Sequence, residues 1–332
     1  MRHADDGAGP ATVAATAAAP MAWGLTYIVA TELLPPDRPL LTGVLRALPA
    51  GLALAAVTRR RPQGVWWAKA AVLGTLNIGA FFALLFVAAY RLPGGVAATL
   101  GAIQPLLAAA LGAVLLRERL RLSVALAGLA GLAGVALLVL RADAALDAVG
   151  VAAGLAGAAS MATGVVLTKR WERPVPLLAF TSWQLIAGGL VLLPVALAVE
   201  GAPPSFTARN ALGYLWLATG GTALAYVVWF RGIERLAVAR VSLLGLLSPL
   251  VATLTGWVVA GQSLTPAQLI GAGLVLSAVW IGQRPAPAPA TPADRATAAR
   301  CAAASATSLA PLGPARRPAD ARPPRAAPSP CR

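Results

Sequence analysis

The chain has 332 residues, 58% hydrophobic and 12% charged, about half the charged share of an ordinary soluble domain. Its mean hydropathy is +0.74, and apolar runs recur at the length of roughly 20 residues that crosses a hydrocarbon core of about 30 Å. The net charge of +15 does not point to nucleic acid, because the 27 Lys and Arg sit in short clusters between apolar runs and in the tail from Arg284, with no basic face carrying interleaved aromatics.

Residues 1–12 place Asp5 and Asp6 beside Arg2 and lead into an apolar run that continues to Leu34, too long for a cleaved signal peptide. They are expected to form a short leader before a retained first helix. Ten spans follow, at about 13–34, 41–58, 68–90, 95–116, 122–141, 148–168, 177–199, 210–230, 239–260 and 265–283. The remainder, 284–332, is rich in Pro, Ala and Arg and has no apolar set with which to offset chain entropy, so a disordered tail is expected. Both cysteines, Cys301 and Cys331, lie in that tail and have no metal-site or disulfide spacing.

Polar and aromatic residues inside the spans are candidates for a transport path. The first span holds Trp23 and Tyr27, deeper than an interfacial aromatic belt requires. Arg46 in the second is the only charge well inside a span, about five residues from its end, or ~7–8 Å deep. Two readings stand for it. Either it snorkels to the interface toward Glu32 or Asp37, or it faces inward and pairs with a carboxylate, on a substrate or on Glu32. Asn77 in the third span, Ser160 and Thr163 in the sixth, Trp183 and Gln184 in the seventh, and Thr219, Thr222, Tyr226 and Trp229 in the eighth extend the set. Each polar group could instead bond a neighbouring helix.

The fourth span carries Gln104-Pro105 at its centre and the ninth carries Ser248-Pro249. A proline in mid-helix frees a carbonyl that lipid cannot satisfy, so the kink must face protein or a wet cavity. Shifting the chain by 144 residues superposes Pro105 on Pro249, Gly101 on Gly245, Gly112 on Gly256 and Arg91-Leu92 on Arg235-Leu236. That spacing equals five spans, an odd number, so the halves 13–141 and 148–283 are expected to be inverted repeats with a binding site near the midplane between them. Glycines at 128, 131, 134, 150 and 154 suit close helix packing within one bundle; a monomer is expected, with a homodimer seam as the alternative.

Loop charges set the orientation. The stretches 59–69, 117–121, 169–173 and 231–240 hold 13 Lys and Arg, whereas the alternate loops hold 4: Arg38, Arg91, Arg141 and Arg209. The positive-inside rule then places both termini in the cytoplasm of a multi-pass plasma-membrane protein.

These residues resemble EamA-type members of the drug/metabolite transporter superfamily. The likeness rests on Trp23-Gly24, Arg46, "NIGAFFALLFVAAYRLPGGVAATLGAIQPL" from Asn77, and Glu118 in "LLRERL". In the second half it rests on "WQLIAGGLVLLPVAL" from Trp183 and "LLSPLVATL" from Leu246. It spans about 20–283 and implies an all-α membrane protein of two inverted five-helix repeats. It further implies a small-molecule substrate moved by alternating access about a cavity lined by spans 1, 3, 4, 6, 8 and 9. One departure stands out: the counterpart of Glu118 is Gln262, so the ion pair that an acid at 262 would make is in question.

Enzyme chemistry has little to work with. The one histidine is His3, so Ser-His and H-E-x-x-H sites are excluded, and no carboxylate lies at the centre of a span. No P-loop and no metal or cofactor motif occurs. The expected function is therefore secondary transport, as an exporter of an amino-acid-like metabolite or a drug-like compound. The rival is a non-transporting lipid-binding or sensory subunit.

Overall fold

In a bilayer the backbone has no water to bond, so an apolar chain satisfies its amides internally by forming helices. The computed structural model describes residues 9–92, 94–118, 121–139, 147–203, 205–259, 261 and 264–284. The tail from 285, both cysteines and Gln262 lie outside the described residues.

Ten helices are long and apolar enough to cross a membrane: α1 (Pro10–Ala30), α2 (Pro39–Thr58), α3 (Trp66–Ala88), α4 (Val96–Leu116), α5 (Leu122–Val139), α6 (Ala148–Arg170), α7 (Leu177–Glu200), α8 (Ala208–Arg235), α9 (Val238–Val259) and α10 (Pro266–Gln283). No strand occurs among the described residues. Local chemistry sets the ends. The Asp147 carboxylate accepts from the Gly150 amide at 2.7 Å to start α6. Reciprocal capping boxes, Thr207 with Asn210 and Thr265 with Gln268, start α8 and α10. Arg59 and Arg117 take left-handed conformations that end α2 and α4.

Four spans are irregular, and they come in two pairs. π-helical segments interrupt α3 at Thr75–Gly79 and α8 at Thr219–Leu224, so their first residues are 144 apart. Turns interrupt α4 at Ala102 and Ile103 and α9 at Gly245 and Leu246, just ahead of Pro105 and Pro249. The prolines thus do more than kink their helices: each sits at the start of a restarted one, where a missing N–H goes unfelt.

Helix packing has the exchange symmetry expected of a duplicated half. Against α1 pack the second parts of α8 and α9; against α6 pack the second parts of α3 and α4. The pairs α2–α7 and α5–α10 map onto themselves under the same exchange. The main core gathers buried residues of α1–α4 and α6–α9, including Val44, Phe82, Ala162, Leu185, Tyr226 and Val241. A second core lies along α5 and α10, where they flank α4 and α9, around Val135, Leu246 and Val275. Two glycine crossings set the closest approaches. A β-carbon on Gly188 would lie 2.5 Å from the Gly74 carbonyl, and one on Gly134 2.8 Å from the Gly271 carbonyl. The glycines of α5 and α6 are therefore used inside the chain, Gly128 against Leu106 and Gly154 against Leu100.

One end of the bundle carries Arg59–Arg61, Glu118, Lys169 and Arg240; it is called the basic end below. Contacts there join α4 to α6 and α9, and α9 to the last turn of α10.

Candidate functional site: a polar layer at mid-bundle

A π-helical segment loosens the regular hydrogen-bond ladder and leaves backbone groups for other partners. Here both segments are gripped by polar side chains from the other half of the chain. In α3, the Leu76 carbonyl accepts from Ser160 Oγ of α6 at 2.9 Å. Asn77 Nδ2 donates to Gln184 Oε1 of α7 at 2.8 Å and to Thr168 Oγ1 of α6 at 3.1 Å. Asn77 is 1% exposed and Gln184 is fully buried, and Gly164 of α6 leaves the space that the Asn77 side chain occupies. In α8, Arg46 of α2 plays the matching part. Its Nε donates to Thr222 Oγ1 at 2.8 Å and its Nη2 to the Gly221 carbonyl at 2.6 Å.

Arg46 is 7% exposed and lies over the Phe82 ring of α3 at 5.4 Å from its centroid. Because α2 begins at Pro39, Arg46 is about 10 Å deep at 1.5 Å per residue, deeper than the sequence suggested. It does not snorkel, and it does not meet Glu32 or Asp37. Glu32 instead lies at the exposed far end, 3.6 Å from Arg209. No carboxylate among the described residues is within ion-pair distance of Arg46.

Other expected path residues fall into two groups. Trp23 meets Tyr226 at 5.3 Å and Trp229 at 5.2 Å between ring centroids, forming an aromatic cluster of α1 and α8 one turn from Thr222. Trp23 Nε1 and Gln104 Nε2 are buried donors with no acceptor among the described residues. Gln104 opens the restarted half of α4 beside buried Pro105, and it approaches Gly245 at the break in α9. Ser248 and Pro249 follow that break; the Ser248 carbonyl abuts Gly24 of α1. By contrast, Thr163 bonds the carbonyl of Ala159 in its own helix. Trp183 lies toward the basic end, where its Nε1 donates to the Arg60 carbonyl at 2.8 Å beside Trp66. For Tyr27 only the backbone, within α1, is described.

At the basic end a latch ties three helices. Lys169 Nζ of α6 sits 2.8 Å from Glu118 Oε1, just past α4, and donates to the Leu236 carbonyl at 2.5 Å. Glu118 Oε2 accepts from the Val238 amide that begins α9 at 3.0 Å. The ion pair of Glu118 is thus made with α6; the question raised by Gln262 lies outside the described residues. Clefts of roughly 300–1,000 Å³ suit a small solute; one of 370 Å³ lies at the basic end among Arg59–Arg61, Trp66 and Trp183, and one of 540 Å³ at the opposite end reaches from Arg38 and Glu200 to Phe86. The Phe86 ring stacks on Phe82 at 6.3 Å, and Phe82 underlies Arg46.

Sequence reading missed Phe82, Thr168, the Gly221 carbonyl and the latch role of Lys169. For the π segments a signal was present, since Thr75 and Thr219 share the 144-residue register.

Ten apolar helices, a duplicated packing pattern and a buried polar layer at mid-bundle define a multi-pass membrane transporter. The comparisons with known proteins are specific about which kind. The model of the EamA-like transporter family matches twice, over residues 11–140 and 148–281, and the chain belongs to that family. Protein PecM of Dickeya dadantii is 47% identical over 267 residues, covering 80% of this chain and 90% of that protein. A probable amino-acid metabolite efflux pump of Salmonella typhimurium is 30% identical over 277 residues, 78% of this chain and 90% of its own. One solved crystal structure aligns with a TM-score of 0.70 at 20% identity over 82% of this chain and 97% of that one, a likeness of fold.

Proposed function

We propose that the chain exports a small amino-acid-like metabolite across the plasma membrane by alternating access, as a monomer with both termini in the cytoplasm. The carrying observation is the polar layer: matched π segments in α3 and α8 are each held by the other half, and the buried donors Trp23 Nε1 and Gln104 Nε2 have no acceptor among the described residues. Bonds that cross between the halves at mid-bundle are where a rocking motion would be felt. The amino-acid efflux relative supports the substrate class, and the concentration of Lys and Arg at the basic end supports the orientation. In that orientation the latch lies on the cytoplasmic side and the larger cleft on the outer side.

Energy coupling follows from which acids reach the core. Proton-coupled carriers use a titratable group within the membrane, whereas Glu32 is exposed and paired with Arg209. The guanidinium of Arg46 stays protonated in proteins. The chain therefore works as a facilitator or exchanger driven by the substrate's own gradient. Reconstituted protein should show saturable counterflow of labelled amino acid without a pH gradient. Accumulation that follows an imposed pH gradient and survives Glu32→Gln would overturn this coupling; absence of any saturable flux would overturn the transport reading itself.

A further inference from the structure

A single buried cation at mid-bundle with only neutral partners is an electrostatic debt that the protein does not settle by itself. A charged side chain near the centre of a membrane helix is costly and is usually found paired. Arg46 has a hydroxyl, a carbonyl and an aromatic face, and its Nη1 has no hydrogen-bond partner among the described residues. We propose that Arg46 is the binding group for a substrate carboxylate, and that its present bonds to the α8 segment are the parking arrangement of the empty carrier.

Three observations carry this assignment, which rests on the transport reading above. The guanidinium fork matches a carboxylate with two parallel N–H···O bonds, and charge-assisted bonds of that kind are about twice as strong as neutral ones. A carboxylate would therefore outcompete the Thr222 hydroxyl and the Gly221 carbonyl for the same nitrogens. The cleft ends on Phe86, whose ring stacks on Phe82, and Phe82 lies against the guanidinium, so two rings alone separate the cleft from the site. Finally, no second Lys or Arg lies at this depth among the described residues, which suits a singly charged carboxylate better than a dianionic phosphate.

Handover of Arg46 has a structural consequence. The Gly221 carbonyl and Thr222 hydroxyl lie inside the π segment Thr219–Leu224. Once released, that segment loses its hold from α2 and is free to re-form around the bound solute. Binding at Arg46 is in this way coupled to the shape of α8.

The test uses the purified full-length chain with matched pairs of probes: L-phenylalanine and L-phenylalaninamide, L-leucine and L-leucinamide. Binding is read by thermal stabilisation and exchange by counterflow in proteoliposomes. The acid of at least one pair should bind about tenfold tighter than its amide, the worth of one charge-assisted bond. Arg46→Gln should erase that preference, and Arg46→Lys should retain part of it. Thr222→Val supplies the discriminating variant: removing the parking partner should lower the melting temperature of the empty protein yet tighten acid binding several-fold. A purely structural Arg46 predicts the first change without the second. Equal recognition of acid and amide, recognition of neither, or an acid preference that persists in Arg46→Gln would each overturn the assignment. Saturable flux of acid and amide alike by the unaltered protein would sink the carboxylate site while leaving transport standing.

Discussion

Gly188 and Gly74 bring α7 and α3 so close that a β-carbon on either would meet a backbone atom of the other helix within 2.6 Å. The π segment of α3 begins at the next residue after Gly74, so the crossing and the Asn77 network depend on one another. Gly188→Val should destabilise the bundle by about 1–3 kcal/mol, the usual penalty for overpacking, seen as a lower melting temperature in detergent. Gly273→Ala is the control, because a β-carbon there meets nothing within 4 Å; it should be neutral or slightly stabilising. Asn77→Leu removes two interhelical bonds, each worth about 0.6 kcal/mol in membrane proteins, and a melting temperature equal to the parent's would show that the network is idle. Asn77, Ser160 and Gln184 were legible as polar residues in apolar runs. Their partners were not: a run of apolar sequence records that a polar group must be satisfied, but the fold alone decides whether Thr168 or Thr163 satisfies it.

At the scale of helices, length and apolar composition sufficed for all ten spans, because a bilayer leaves a long apolar run no alternative to helix. The breaks at Pro105 and Pro249 were foreseen as kinks and prove to be restarted helices. The π segments lie beyond periodicity arguments, since one extra residue in a turn scarcely disturbs an all-apolar pattern. The latch belongs to this scale too, since Glu118 and Lys169 matter for the three helices they tie. Their side chains are 23% and 15% exposed, so the pair is partly shielded from water. Lys169→Met should loosen the basic end. A reporter cysteine at Gly112, whose β-carbon site lies 3.4 Å from Val238 and 3.5 Å from Glu118, should then react with a membrane-impermeant thiol reagent on the order of tenfold faster if the latch is worth about 1.4 kcal/mol. Unchanged labelling would mean that closure there is held by apolar packing alone.

For the whole chain, truncation after Arg284 should leave flux and melting temperature nearly unchanged, since the sequence beyond has no apolar set to dock; a large loss of either would assign the tail a structural or regulatory part. The truncated chain also lacks both cysteines, which makes it the natural parent for the labelling above. Reporter fusions after Gln283 and within 201–208 should read cytoplasmic and external; the reverse would overturn the orientation. The duplicated pattern of packing came from the 144-residue echo, whereas the inequality of the two ends did not, because it depends on where Lys169 reaches. That inequality sets the resting population. A carrier built from two matched halves would, left to itself, divide its time evenly between its two open forms. The opposite end has ion pairs of its own, Glu32–Arg209 and Arg91–Asp147, but they are far more exposed than Lys169–Glu118 and so weaker; that difference unbalances the occupancy, each 1.4 kcal/mol shifting the ratio by about tenfold. Under the proposed alternating access, the empty molecule would then wait facing the end with the weaker ties, and the slow step of each cycle would be the return of the unladen carrier to the side where Lys169 must let go.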